Sequence, residues 1–264
     1  MSTATRTKWG VTSSQLLVAT PDTASSRYSL LLTTVPAEVA AAQRLRHDVF
    51  AGELGATLHS DVPGLDSDRF DEFCDHLVVR EDATGEIVGT YRMLPPDRAR
   101  AAGALYSESE FDLTALDPMR PALVEAGRSC VHPAHRDGAV VGLVWAGIAR
   151  YMLLTGNRWL VGCASVPLAD DGALAAGVWE RVRGRHLAAP QHRVVPRVPW
   201  QAGPVVRAGR ASMPPLLRGY LRLGARIGGP PAHDPDFGCA DFFVLLDLQS
   251  IEDRYLRYFL GDVA

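Results

Sequence analysis

The sequence predicts a single α/β domain in which a mixed central sheet is flanked by helices. Three observations carry this. His76 to Arg80 and Ile87 to Leu94 are strand candidates joined by the tight turn Asp82-Ala-Thr-Gly85, so they form a hairpin. Beyond the hairpin, strand and helix candidates alternate, the pattern of layered α/β or α+β packing. The chain has 264 residues, 47% apolar and 22% charged, which is enough to bury one large core.

The elements follow in order. Met1 to Arg27, rich in Ser and Thr, is expected to be a flexible tail, and residues 28 to 264 form the domain. Tyr28 to Thr34 is a strand candidate. Pro36 to Leu54 follows as a helix, with proline in its first turn and an apolar face through Val39, Leu45, Val49 and Phe50. Gly55 to Phe73 is a polar loop. After the hairpin and a variable stretch to Met119, Ala122 to Val131 is a strand containing Gly127, which predicts a bulge or a close backbone approach. Ala139 to Thr155 is a helix apolar nearly all round, as expected for one covered on both sides. Trp159 to Ser165 is a short strand and Gly172 to His186 a helix. Pro190 to Pro215 is irregular and basic, Leu216 to Arg226 helical, Ala240 to Leu248 a strand, and Ser250 to Leu260 a terminal helix.

Several classes of protein are excluded. The longest apolar stretch, Ala139 to Leu154, contains Arg150 and is shorter than the roughly 20 residues of a spanning helix. The N-terminus lacks the apolar run of a secretory signal, so a cytoplasmic location is expected. Cys74, Cys130, Cys163 and Cys239 form no C-x-x-C pair, and no histidines stand at metal-ligand spacing, so neither a metal nor a disulfide framework is expected. The net charge of −3 is unevenly distributed: Arg181 to His233 holds ten arginines and no acid, leaving −13 on the remainder. That segment calls for an anionic partner, such as an acidic protein or the inner face of a membrane, unless its arginines pair within the chain. Nucleic acid is not among the expected partners.

The chemistry concentrates between Val124 and Val141. A strand interrupted at Gly127, then Pro133 and the turn Arg136-Asp-Gly138-Ala139 into a long helix, aim backbone N–H groups at one point, which makes an anion site. Arg136 adds a charge-assisted contact to a phosphate. This arrangement resembles the GNAT superfamily of N-acyltransferases. The resemblance implies a splayed pair of strands that admits pantetheine, with Ser129, Cys130 and Val131 lining it and Arg136, Gly138 and Ala139 at the phosphate. The turn is shorter than the superfamily's usual phosphate loop, which suits a donor with a single phosphate, acyl-phosphopantetheine on acyl-carrier protein, better than acyl-coenzyme A.

Arg46, Phe50, Asp68-Arg-Phe-Asp71, Arg92, Phe111 and Glu125-Ala-Gly-Arg128 occur in the order and spacing of acyl-homoserine-lactone synthases. Val124 to Pro133, Gly162-Cys-Ala-Ser165, Gly219 to Ala225, Asp234-Pro-Asp-Phe237 and Asp241-Phe-Phe look like the ornithine-lipid N-acyltransferases. The resemblance implies transfer of a 3-hydroxylated acyl chain from acyl-carrier protein to the α-amine of ornithine or a similar amino acid, the first step of aminolipid synthesis. A homoserine-lactone synthase and a non-catalytic lipid-binding module are the alternatives.

In that setting Glu125, with Arg128, is the catalytic candidate. The acceptor arrives as an ammonium ion, and a carboxylate in an apolar strand gains basicity from burial. The alternative is a structural ion pair of Glu125 with Arg128 or Arg92. Arg46, Phe50, Asp68, Asp71 and Arg92 are the expected substrate-binding set, though Arg46 and Arg92 can instead bind the aspartates and order the loop. Cys130 and His132 share a strand face, yet amide formation from a thioester requires no covalent enzyme intermediate.

Overall fold

A computed structural model describes residues 14–20, 27–136, 138–203, 212–252 and 254–255. Its strands are β1 (Gln15–Ala19), β2 (Tyr28–Thr33), β3 (Asp75–Glu81), β4 (Ile87–Leu94), β5 (Phe111–Asp112), β6 (Leu123–Val131), β7 (Trp159–Pro167), β8 (Val195–Pro196), β9 (Arg226–Ile227), β10 (Ala232–Asp234) and β11 (Cys239–Asp247). The helices are α1 (Pro36–His47), α2 (Pro96–Ala102), α3 (Ala139–Thr155), α4 (Ala173–Arg183) and α5 (Pro215–Arg222). The main sheet runs β1-β2-β3-β4-β6-β7-β11-β10, with β9 also on β11, and β5 pairs with β8 apart from it. Among the described strands only β6 and β7 pair with each other in parallel, and α3 is the crossover such a pair needs.

The apolar run in β2 has a simple cause. Leu30 and Leu32, with Leu77 and Val79 of β3, face the main core under α3, whereas Leu31 and Val78 face Ala42 of α1. A strand covered on both faces shows no polar alternation. α1 continues beyond His47 as one wider, π-helical turn, Asp48–Glu53, which places Val49 and Phe50 beside Leu45 in a second apolar cluster that contains Cys130.

Three sequence expectations are corrected here. The segment expected as a flexible tail contains β1, an edge strand paired with β2 from Gln15 to Ala19; the rest of that expectation, residues 1–13 and 21–26, lies outside the described residues. The helix expected over Leu216 to Arg226 stops at Arg222, because Arg226 and Ile227 pair with Leu245 and Val244 of β11. The stretch before Met119 is not featureless, for it holds α2, which starts on Pro96 and ends at Gly103 in the left-handed region. Most of the expected terminal helix lies outside the described residues.

Candidate active site

β6 and β7 run together only at their first residues. Leu123, Val124 and Glu125 pair with Trp159, Leu160 and Val161, after which the strands part. At the apex the backbones touch: a Cβ on Gly162 would lie 2.2 Å from the carbonyl oxygen of Ala126, so only glycine has room. Past this point β7 stays with β11 and β6 leans to β4.

A bulge then turns β6. Thr90 faces Cys130 and Arg92 faces Gly127, so Tyr91 alone stands opposite both Arg128 and Ser129. The bulge follows directly on Gly127, where the sequence predicted one or a close backbone approach, and its left-handed residue is Arg128, at φ 55°. Its side chain explains how the strain is held. The Arg128 guanidinium lies 3.2 Å from Asp66 and 3.5 Å from Asp68, donates to the Tyr106 hydroxyl at 3.1 Å, and stacks over the Tyr106 and Phe237 rings.

The splay opens into a cavity of about 830 Å³, a size suited to a small-molecule substrate. Residues 125–129 of β6, Cys163 and Ser165 of β7, and Cys239 and Asp241 of β11 supply its sheet side. Phe50, packed edge-on against Phe237 at 5.5 Å, closes another side.

Beside the cavity three arginines interlock with three aspartates. Arg46, with no exposed surface, grips both oxygens of Asp71 at 2.9 and 2.8 Å, places Nε 2.9 Å from Asp66, and donates to the Asp66 carbonyl. Arg92 meets Asp68 at 2.7 Å and Asp71 at 3.3 Å, and Arg128 completes the set. The Arg46 and Arg92 guanidiniums outweigh burial and hold the Asp71 carboxyl far below the usual carboxylate range. This cluster pins the loop before β3 against α1, where Asp66 N–H also donates to the Gln43 carbonyl at 3.0 Å. Arg46, Asp68 and Asp71 do not line the cavity; their ion pairs order the loop, the alternative the sequence left open for Arg46, while Phe50 and Arg92 reach the cavity wall.

Glu125 is buried at that wall. It forms no ion pair with Arg92 or Arg128 among the described residues. Its Oε1 accepts from Ser107 N–H at 2.8 Å and from Ser107 Oγ at 2.5 Å, and its Oε2 from Tyr106 N–H at 2.6 Å. Burial pushes its carboxyl up and these donors pull it back only in part. Tyr106 and Ser107, which the sequence did not single out, therefore fix the carboxylate it named as the catalytic candidate.

The expected donor-binding residues are dispersed. Ser129 lines the cavity, but Cys130 turns into the apolar cluster under α1, where burial pushes its thiol up to about 12. His132 is exposed and engages Ala134 N–H, which leaves no Cys–His pair. Val131 is half-buried, and its carbonyl accepts from Arg136 Nε at 3.0 Å. Arg136 itself is clamped by Glu53 through two contacts of 2.6 and 2.7 Å. Gly138 takes φ 101° and starts α3 at Ala139 with no acid in the helix's first turn, which keeps the N-terminus receptive to an anion.

Residues 45–146 match the family model described as "Acetyltransferase (GNAT) domain". Across 247 residues, spanning 85% of this chain and 82% of the relative, the sequence is 36% identical to an L-ornithine N(alpha)-acyltransferase of Agrobacterium fabrum. The chain belongs to the L-ornithine N(alpha)-acyltransferase family. A second member, from Brucella abortus, is 37% identical over 84% of this chain and 85% of its own length. The fold recurs in a solved CoA-dependent acyl-homoserine lactone synthase with SAM and isopentyl-CoA, at TM-score 0.52 and 18% identity over 87% of this chain and 85% of that one. An N-acyl amino acid synthase from uncultured soil microbes matches at TM-score 0.52 and 14% identity, over 85% and 92% of the two chains. The protein is an acyltransferase of this fold. No helix among the described residues is long and apolar enough to cross a membrane.

Proposed function

We propose that the chain transfers a 3-hydroxylated acyl group from acyl-carrier protein to the α-amine of ornithine. The observation that carries this reading is the splay between β6 and β7, which opens onto a cavity large enough for acyl-pantetheine and an amino acid. The relatives named as ornithine N(alpha)-acyltransferases supply the acceptor.

In this mechanism the pantetheine arm lies in the splay and its phosphate meets Gly138 and Ala139 at the start of α3. Arg136 joins it by exchanging its exposed pair with Glu53, at little cost because surface pairs contribute at most about 1 kcal/mol. Glu125 takes a proton from the acceptor's ammonium, the freed amine attacks the thioester carbon to give a tetrahedral oxyanion, and its collapse breaks the C–S bond and releases pantetheine, whose thiolate takes the second proton lost by the nitrogen. An ionised carboxylate has about four acceptor positions, and three donors leave one on Oε2 for the acceptor. Backbone N–H groups near the bulge stabilise the developing oxyanion. Arg128 and Arg92 bias the same wall toward the acceptor's carboxylate.

The basic segment supports the carrier protein as donor and an anionic inner membrane surface as the place of work. All eight of its described arginines are exposed, and only Arg183 pairs with an acid, Glu180 at 2.9 Å. Incubation of the purified protein with acyl-carrier-protein or coenzyme A thioesters and a panel of amino acids, read by mass spectrometry, tests the reading. N-acyl-ornithine formed with higher kcat/KM from the carrier protein is expected. Equal use of both donors refutes the donor, and absence of N-acyl-ornithine refutes the acceptor.

A further inference from the structure

The buried acids described so far have partners, and Asp75 has them too, in Arg98 at 3.0 Å and the Tyr151 hydroxyl at 2.8 Å. Glu110 and Asp241 break the pattern. Among the described residues neither meets a cation: their side-chain partners are each other, Ser165 and the neighbouring thiols, and Oε2 of Glu110 and Oδ1 of Asp241 are buried with no donor. Asp241 is only 3% exposed, yet it lines the cavity together with Glu110. The topology puts them there: Asp241 of β11 pairs with Ser165 of β7, and Glu110 immediately precedes β5. Asp234 adds a third carboxylate, within 4.8 Å of the Asp241 and Cys239 ligand atoms. Burial and the adjacent Asp241 carboxyl push Glu110 up. With no cation present, two carboxyls this close keep a proton between them, and a cation entering the cavity lets both ionise.

The cavity is thus polarised, with Arg92 and Arg128 at one wall and an uncompensated acidic pair at another. We propose that Glu110 and Asp241 form the subsite for the side-chain ammonium of the acceptor and set the preference for diamino acids over uncharged ones. The inference rests on the reading of this chain as an amino-acid N-acyltransferase. The subsite holds the side-chain nitrogen charged and away from the thioester, leaving the α-amine to react.

The test compares ornithine with norvaline, which lacks the side-chain amine, in wild type, Asp241→Asn and Glu110→Gln. Each substitution is expected to raise KM for ornithine about 10- to 100-fold while KM for norvaline and for the acyl donor stays put. Without substrate, each should raise Tm by relieving carboxylate repulsion, and ornithine should no longer raise it further. Equal losses on both acceptors would assign the pair to proton transfer, a fall in Tm would assign it to the fold, and a zinc ion that binds wild type and not Asp241→Asn would make it a metal site. Each of these overturns the inference. A wild type that acylates ornithine and norvaline equally also overturns it but leaves N-acylation standing, whereas a wild type that acylates no amino acid overturns the underlying reading.

Discussion

Replacing Arg46 by methionine keeps the apolar stem and removes the charge at the centre of the loop latch. Asp71 then loses two contacts of 2.9 and 2.8 Å and keeps the Asp68 N–H at 3.0 Å, Gln43 at 3.2 Å and Arg92 at 3.3 Å, while Asp66 keeps Arg128 at 3.2 Å. Both aspartates stay almost wholly buried, at 8% and 5% side-chain exposure. Breaking a buried pair from one side costs about 3–5 kcal/mol, because the remaining charge is stranded. For a chain of this size each kcal/mol lowers Tm by about 2–4 °C, so the variant should melt roughly 6–20 °C below wild type. Urea unfolding followed by circular dichroism at neutral pH measures the loss directly. Adding Asp71→Asn should recover part of it, since the double variant no longer buries an unpaired carboxylate there. A loss under about 1 kcal/mol would refute the buried-latch argument. A rise in KM for the acceptor with unchanged stability would instead return Arg46 to substrate binding.

Four further outcomes follow from the same geometry. Gly162→Ala drives a Cβ into a backbone carbonyl 2.2 Å away, so the apex of the splay must shift, and kcat should fall with donor KM rising even where circular dichroism finds the fold intact. Burial pushes His76 down to about 4, so between that value and the unfolded value of about 6.5 the unfolded chain binds a proton the folded chain refuses; stability falls on acidification, by about 3 kcal/mol at pH 4, and His76→Gln should abolish this component in urea titrations run from pH 7 to 4. Glu125→Gln should lower kcat by about 10²–10⁴-fold and remove the acid limb of the pH–rate profile, which in wild type lies above the ordinary carboxylate range; unchanged turnover across that range would leave Glu125 as the anchor of Tyr106 and Ser107. Changing Arg181, Arg183 and Arg185 together to Gln should raise KM for the carrier-bound donor at low salt and reduce binding to anionic vesicles, with kcat at saturation unchanged; intact affinity for both would remove them from either surface.

The sequence by itself determined what depends on neighbours along the chain. The hairpin of β3 and β4 follows from two apolar runs and their turn, and α3 runs from Ala139 to Thr155 as its composition requires. The family resemblance was legible too, because its motifs are short runs of consecutive residues. What only the tertiary structure decided depends on partners far apart in sequence. β1 is short, half-exposed and set in a polar segment, so pairing with β2 and not its own pattern makes it a strand. Among Arg46, Asp68, Asp71 and Arg92 the sequence named the right cluster but left its role open; burial made it a latch, and Asp66 joined it unannounced. The left-handed residue of the bulge is Arg128 and not the permissive Gly127 because side-chain contacts to Asp66, Asp68 and Tyr106 hold the strained residue. Glu110 and Asp241, separated by 130 intervening residues, carried no local signal of each other. Only the pairing of β11 with β7 and the placement of β5 beside them bring two carboxylates into one cavity, where loss of water gives their charge a consequence that no spacing in the sequence encodes.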